Sequence, residues 1–382
     1  MNKTVKKTGF WRGLLRTILV ILTLIASIGT LIGAYGGDYS PTVFRGICLM
    51  VMVFPFWVLA LIIVTILDAL WCRKALLISL LAFIPSAPAI WNICPLNIFG
   101  PSEKAYKDCP KFTLMSYNVL NFLPVDSVFP DSLNPTLSFI LKADPDIACL
   151  QEAHAFIPAN NNILIPKVQV DSILERYPYV LLYGKTQTLL SKYPAEVIPI
   201  GYNSRRKGNE IAVFRVTVDG VPITIFNVHL QSYNLRSDDK YLYQELTELK
   251  KVDRTVKESI FDIKSQLIAK IQKAAEGREL DAERLIGYLS RLGGPNVIVT
   301  GDFNDVPGCY TLRRLADCDL HEVYPEVGFG PLITYHADRF YFRIDHTLYR
   351  GCLKPLKMKR PTPPFSDHYP LITTFAVTGD NK

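Results

Sequence analysis

Three stretches of the 382-residue chain, 17–36, 46–67 and 75–91, carry no charged residue, and the rest alternates short apolar runs with polar breaks. The first two are long enough to cross a bilayer core, which takes roughly 20 apolar residues. The third is shorter and holds Pro85 and Pro88, so a buried or interfacial helix is its alternative. We read residues 1–91 as a transmembrane region of about three helices. Residues 92–111, punctuated by Pro95, Pro101, Ser102 and Pro110, read as a linker.

Beyond the linker the apolar runs have strand length. They are FTLMSYNVLNF (112–122), PDIACLQEAH (145–154), YVLLY (179–183) and TLLSKYP (188–194). EIAVFRVTV (210–218) and VPITIFNVHLQS (221–232) follow, separated by Asp219 and Gly220, a hairpin signal. NVIVTGDFND (296–305), YFRIDHTLYR (341–350) and FSDHYPLITTFAV (365–377) complete the series. Helical spacing fits 134–142, 168–176 and the Lys-, Glu-, Leu- and Ile-rich stretch 238–292. This is an α/β chain dominated by strands, with a mixed sheet expected. No internal repeat or low-complexity tract is visible.

Charge sharpens the topology. Residues 1–111 hold 11 Lys+Arg against 4 Asp+Glu, and residues 112–382 hold 31 of each, so the whole net charge of +7 belongs to the membrane part and its linker. Lys3, Lys6, Lys7, Arg12 and Arg16 precede the first stretch, and Arg73 and Lys74 follow the second. The positive-inside rule then puts the N-terminus and the 68–74 loop in the cytoplasm. Three spans carry everything after about residue 92 to the other side, an integral protein of a bacterial inner membrane with an extracytoplasmic catalytic domain. A cleaved signal peptide is the rival for the first stretch, weakened by the two apolar stretches that follow at once. Among the eight cysteines, Cys48 and Cys72 belong to the membrane part and Cys149 reads as a small core residue. Cys94 and Cys109 flank the junction and could pair outside the cytoplasm. No Cys/His spacing suggests zinc.

The apolar runs share one habit. Asn118, Glu152, His229, Asp302 with Asn304, Asp345, and Asp367 with His368 all stand at or near the end of a run. Residues two apart in a strand face the same way, so Asp302 and Asn304 share a face and Phe303 turns to the core. One Asp or Asn after a strand is ordinarily a turn former or a helix cap. Six ends meeting at one rim would build an oxygen-rich pocket with two histidines. Carboxylate and amide oxygens suit a hard cation such as Mg²⁺, and histidine suits proton transfer near neutral pH, with an Asp on its other nitrogen to fix the tautomer. Those are parts for metal-assisted phosphoester hydrolysis.

In order, SYN, LQE, LSKYP, NVHLQS, GDFND, RIDH and SDHYPL resemble the endonuclease/exonuclease/phosphatase superfamily of deoxyribonuclease- and sphingomyelinase-like enzymes, over roughly residues 112–377. The resemblance implies a four-layered α/β sandwich, two mixed β-sheets flanked by helices, with a helical insert at about 233–292. It implies Mg²⁺, with Mn²⁺ as a substitute. By motif, Asn118 and Glu152 are similar to metal-site residues, Glu152 being the main carboxylate ligand, and Asp367 to a further metal-side carboxylate. Asp302 and Asn304 resemble the pair that orients the attacking water and the phosphate. His229 resembles the phosphate-binding histidine that can donate a proton to the leaving group. Asp345 and His368 resemble the Asp–His dyad.

The chain departs from the pattern at three places. Leu120 stands where many relatives carry a polar or basic residue, GKTQT (184–188) precedes LSKYP, and His346 follows Asp345 where an aromatic is common. The insert reads as a surface helical pair, or as a cap or membrane-facing platform. The basic runs Arg205–Arg206–Lys207 and Lys357, Lys359, Arg360 read as solvated loop charges.

The expected activity is a membrane-anchored phosphoesterase, with phosphodiesters ranked above monoesters. Its partners are the bilayer and a phosphate ester: a phospholipid head group, a nucleic acid or a small phosphodiester. The alternatives are a nuclease acting on DNA or RNA, and a non-catalytic membrane-anchored binding module. A catalytic part of zero net charge lacks the basic footprint of a tight nucleic-acid binder. A serine triad from SDH is excluded, because residues adjacent in a strand cannot converge.

Overall fold

A computed structural model of the chain describes residues 2–101, 103–123, 133–154, 165–184, 186–200, 210–233, 254–337 and 341–379. The basic run 205–207, Lys185 of GKTQT and the insert residues 234–253 lie outside the described residues.

Among the described residues, three helices are long and apolar enough to cross a membrane: Phe10–Asp38, Phe54–Trp71 and Arg73–Ile93. The first belongs to α1 (Asn2–Tyr35). The second apolar stretch, expected as one span over 46–67, is divided. A short helix α2 (Ile47–Met52) breaks at Val53, and α3 (Phe54–Trp71) starts afresh with Pro55 in its first turn, where proline's missing N–H does no harm. The shift carries Asp68 into the bundle, fully buried, where the Thr23 hydroxyl donates to its Oδ2 at 2.6 Å. The third is α4 (Leu76–Ile93), with Pro85 and Pro88 inside it.

Small residues let the helices close. The ring of Trp57 lies where a Cβ on Gly29 would stand, at 2.4 Å, and Phe54 crowds Gly33 in the same way, at 2.8 Å. A small-residue stripe of this kind is how helices approach closely where no water drives them together.

Two six-stranded mixed sheets follow. The first runs β11-β12-β1-β2-β4-β3 and contains β1 (Lys111–Asn118), β2 (Ile147–Gln151), β3 (Tyr179–Tyr183), β4 (Gln187–Ser191), β11 (Leu353–Lys359) and β12 (Leu371–Val377). The second runs β5-β6-β7-β8-β10-β9 and contains β5 (Ala195–Val197), β6 (Glu210–Val218), β7 (Val221–His229), β8 (Val297–Asp302), β9 (His321–Glu322) and β10 (Asp345–Arg350). The β6–β7 turn is the expected one, with Asp219 (φ 47) and Gly220 (φ 82) both left-handed. Each sheet has one parallel pair at its centre, β1 with β2 and β7 with β8, and every other pairing is antiparallel.

Strand alternation sorts the core into layers. Phe112 and Leu114 of β1, Cys149 of β2, Ile225 of β7 and Ile298 of β8 pack between the sheets. Met115 and Tyr117 face outward under α5 (Pro135–Ala143) and α6 (Lys167–Arg176). Phe226, Val299 and Phe303 face outward on the other side, under the long insert helix α7 (Arg254–Leu292) and α8 (Tyr310–Ala316). The result is helix, sheet, sheet, helix, the four layers expected. Lys357 and Lys359 stand on edge strand β11 rather than in a loop, pointing to solvent, a placement that blunts an edge. Cys94 and Cys109 both carry free thiols.

The domain rests on the end of the bundle where α1 finishes and α3 begins. Arg313 donates to the Ala34 carbonyl at 2.7 Å and pairs with Asp38 at 3.4 Å. Gln272 of α7 accepts from the Gly46 N–H at 2.8 Å and donates to the Pro41 carbonyl at 2.6 Å. Gly37 lies so close to Gly308 that a Cβ there would stand 1.9 Å from its carbonyl oxygen. The linker adds the Asn97 amide, which donates to the Pro325 and Gly328 carbonyls at 2.9 Å each.

Candidate active site

The topology assembles the site. In a parallel pair both carboxyl ends lie at the same edge, so Asn118 and Gln151 end together, as do His229 and Asp302. Antiparallel neighbours begin where those strands finish: Asp345 pairs with Asp302, and β12 starts beside Ser116 just after His368. Alternation aims the side chains. Asn118 shares a face with Leu114, His229 with Ile225 and Asp302 with Ile298, all toward the space between the sheets. Both sheets therefore empty their strand ends into one rim.

Distances show how tight the assembly is. The Asn118 amide nitrogen donates to Glu152 Oε1 and to Asp302 Oδ2, 3.0 Å each, while its oxygen accepts the Leu120 N–H at 3.1 Å. Asn118 is thus a strut between two carboxylates, its oxygen already engaged. His229 Nε2 lies 3.6 Å from Glu152 Oε1 and 3.7 Å from Asp302 Oδ2. His368 Nδ1–H donates to Asp345 Oδ2 at 2.9 Å, which leaves Nε2 facing Asp302 Oδ2 at 3.6 Å. Asp302 Oδ1 accepts the Asn304 N–H at 2.8 Å, and the Asn304 amide donates to the Leu230 carbonyl at 3.2 Å. Glu152 (φ 53) and Asn304 (φ 52) both hold left-handed backbone, a strain that clusters at functional sites. Gly301 permits the approach of β8 to β7: its φ is 142°, and a Cβ would stand 2.0 Å from the Val228 carbonyl oxygen.

These residues open into a cavity of about 320 Å³. Glu152, His229, Asp302, Asn304, Asp367 and His368 line it, and no Lys or Arg does so among the described residues. The electrostatics follow. Burial raises the Asp302 carboxyl above the ordinary range, and Asp345 beside it adds to the rise. For His368 burial opposes the charge, but Asp345, Asp302 and Asp367 together override it and hold its proton well above the ordinary imidazole range. Three carboxylates facing one cavity that no described Lys or Arg lines suit a cation, and a set rich in carboxylate oxygen suits a hard divalent one. Asp302, Asp345 and His368 also form a cluster whose ligand atoms lie within 4.8 Å of one another.

Sequence reasoning did not anticipate the support beneath these residues. The Gln151 amide donates to Asn227 Oδ1 at 2.6 Å and to Ser116 Oγ at 3.2 Å, tying one sheet to the other. Thr300 and Thr347 share a hydrogen bond at 2.8 Å. The signal was present. Ser116, Asn227 and Thr300 each lie two positions before a site residue and so share its face. Ser366, excluded as a nucleophile, donates to the Asn118 carbonyl at 2.7 Å. Thr334 Oγ1 accepts the N–H groups of Ile344 and Asp345 at 2.9 and 3.1 Å, and Tyr335 packs edge-on against His368 at 5.0 Å.

Two polar neighbours are structural. His346 faces away from Asp345, its Nδ1 on Glu322 at 2.7 Å and its Nε2 on the Asp305 carbonyl at 2.9 Å. Asp305 closes GDFND by pairing with Arg278 of the insert helix at 2.9 Å, and that arginine is 1% exposed. Removing one partner strands the other charge. Asp305→Ala is therefore expected to destabilise the protein by about 3–5 kcal/mol, read as a fall in thermal unfolding temperature, with Asp305→Ala/Arg278→Met recovering most of it.

A sequence model described as the Endonuclease/Exonuclease/phosphatase family matches residues 115–368. Among solved structures, the chain is similar to an endonuclease/exonuclease/phosphatase from Beutenbergia cavernae DSM 12333, at 16% identity and a TM-score of 0.45, over 71% of this chain and 72% of that one. It is similar to the human Nocturnin catalytic domain with bound sulfate, at 16% and 0.44, over 71% and 96%. It is also similar to truncated Caenorhabditis elegans TDP2, at 15% and 0.41, over 70% and 97%. No curated protein matches the chain.

Proposed function

We propose, for a chain that belongs to the endonuclease/exonuclease/phosphatase family, that it is a membrane-anchored, divalent-metal-dependent hydrolase of phosphate esters, Mg²⁺ being the physiological ion, Mn²⁺ a substitute, and diesters the preferred substrates. The observation that carries this reading is the carboxylate- and imidazole-lined cavity at the shared rim of both sheets.

Glu152 is the main residue that would hold the cation, with Asp367 lining the same cavity and Asn118 fixing the Glu152 carboxylate. A bound divalent ion neutralises charge on the phosphoryl and leaving oxygens. The remaining roles fall to the chain. With a bound cation offsetting the carboxylates that hold its second proton, His368 Nε2 would accept a proton from the attacking water, and Asp345 on Nδ1 would stabilise the imidazolium that forms. Asp302 and the Asn304 amide orient water and phosphate. His229 presents Nε2 to the same space, where it binds phosphate and can return a proton to the leaving oxygen.

On this reading the catalytic domain lies on the extracytoplasmic side of a bacterial inner membrane, and the charge polarity of the bundle agrees with that side. The charged start of α1 and the Arg73–Lys74 turn belong to one end of the bundle, and the domain rests on the other. That polarity agrees with the positive-inside rule.

The test uses the full chain in maltoside micelles. Cleavage of bis-p-nitrophenyl phosphate in Mg²⁺ or Mn²⁺, slower cleavage of the monoester and loss of both with EDTA are expected. A protein that cleaves neither and shows no metal-dependent rise in melting temperature would be a binding module instead.

A further inference from the structure

The cavity has two unlike halves. Carboxylates and imidazoles form one. The other is apolar, built by Leu267 and Ile271, one turn apart on α7, with Tyr335, Phe342 and Ile344. Nothing in the hydrolysis of a phosphate group needs that second wall. A nucleic-acid site would offer basic side chains to the backbone, and no Lys or Arg lines this cavity among the described residues.

The apolar wall continues into the membrane part. Ile344 and Val306 share one hydrophobic cluster with Val51 of α2, and Met52, Tyr335 and Phe342 pack against it. The residues that line the pocket thus touch the helix that leads directly into α3. The docking contacts hold them there: Gln272, one residue beyond Ile271, is bonded to both Pro41 and Gly46. Large apolar side chains stay exposed around the junction of bundle and domain: Val43 (71%) between α1 and α2, Phe99 (95%) on the linker, and Phe329 (64%) of the domain, which bridges to Leu96 of the linker. Side chains of this kind suit the headgroup boundary of a bilayer.

We propose that the substrate is an amphiphile: a phosphate diester carried on a hydrocarbon chain, drawn from the bilayer in which the protein is anchored. Its phosphate lies against His229 and Asn304, and its chain runs along Leu267, Ile271 and Phe342 toward α2. This rests on the phosphoesterase reading and adds the substrate class to it. Water attacks phosphorus, the phosphorus–oxygen bond to the leaving alcohol breaks, and that alcohol takes up a proton. The products are a phosphate monoester and an alcohol, one soluble and one kept by the membrane.

The test has a binding arm and a turnover arm. In metal-free maltoside micelles, hexadecyl phosphate is expected to raise the melting temperature more than methyl phosphate does, and Leu267→Ser/Ile271→Ser is expected to abolish the difference. In vesicles of phosphatidylethanolamine and phosphatidylglycerol with Mg²⁺, the full chain is expected to release water-soluble phosphate. In the double variant, the ratio of lipid to bis-p-nitrophenyl phosphate turnover is expected to fall by roughly 10–100-fold, the scale set by losing part of the contact of two half-buried aliphatic side chains with a hydrocarbon. Cleavage of the soluble diester or of single-stranded DNA in preference to lipid, with equal stabilisation by the two alkyl phosphates, overturns the substrate class and leaves the phosphoesterase standing. Absence of all cleavage overturns both.

Discussion

His368→Ala is expected to lower turnover of bis-p-nitrophenyl phosphate by about 10²–10⁴-fold, the range that a positioned general base contributes. The stronger version of the experiment adds Asp345→Asn. Asp345 touches His368 Nδ1 at 2.9 Å, and it reaches the reacting atoms only through that imidazole. Groups that act as one unit lose activity together, so Asp345→Asn in the His368→Ala background should cost nothing further. Stability should move the other way. His368→Ala leaves Asp302 and Asp345 buried side by side without the imidazolium between them, and lowers the melting temperature; the double variant removes one charge and restores much of it. Steady-state rates and thermal unfolding of the four proteins decide the matter. Multiplicative losses in rate would mean that Asp345 acts on its own, and the dyad would have to be abandoned.

Much of this architecture was legible because it depends on local pattern. Charge-free stretches marked the bundle, and period-two alternation marked β1, β7 and β8 with the faces that their residues take. Phe303 turned to the core and Cys149 into the inter-sheet space for that reason. The strand ends could be read as chemistry because each motif places a polar group just past an apolar run. What spacing could not show is which ends meet. Asn118 donates to Asp302 across 184 positions of sequence, and only the order of strands in two sheets brings them together. The docking of the domain on the bundle was equally hidden. It depends on backbone carbonyls at Ala34 and Pro41 and on the bare Cα of Gly37, groups with no pattern of their own. The break at Val53 was missed because the apolar run continues through it, and the helix restarts for backbone reasons at Pro55.

The remaining large effect separates two homes for the cation. Glu152 is half-open to the cavity and held by Asn118, whereas Asp302 is buried at the floor with its oxygens already bonded to Asn118 and Asn304. If Glu152 is the principal ligand, Glu152→Ala should abolish both turnover and the rise in melting temperature that Mn²⁺ gives. That rise corresponds to roughly 2.7 kcal/mol at a hundredfold excess over the dissociation constant. Asp302→Ala should instead lose about 10²–10⁴-fold in turnover, the scale of a misplaced proton transfer, and keep the metal-induced rise. Without Mn²⁺ it should be no less stable than the parent, because the substitution removes a carboxylate whose charged form burial disfavours. The reverse pattern, with Mn²⁺ stabilisation lost in Asp302→Ala and kept in Glu152→Ala, would move the ion to the cluster of Asp302, Asp345 and His368, whose ligand atoms lie within 4.8 Å of one another. An imidazole occupied by metal cannot accept the water's proton, so that result would also take the base away from His368 and leave His229 as the histidine free to transfer it.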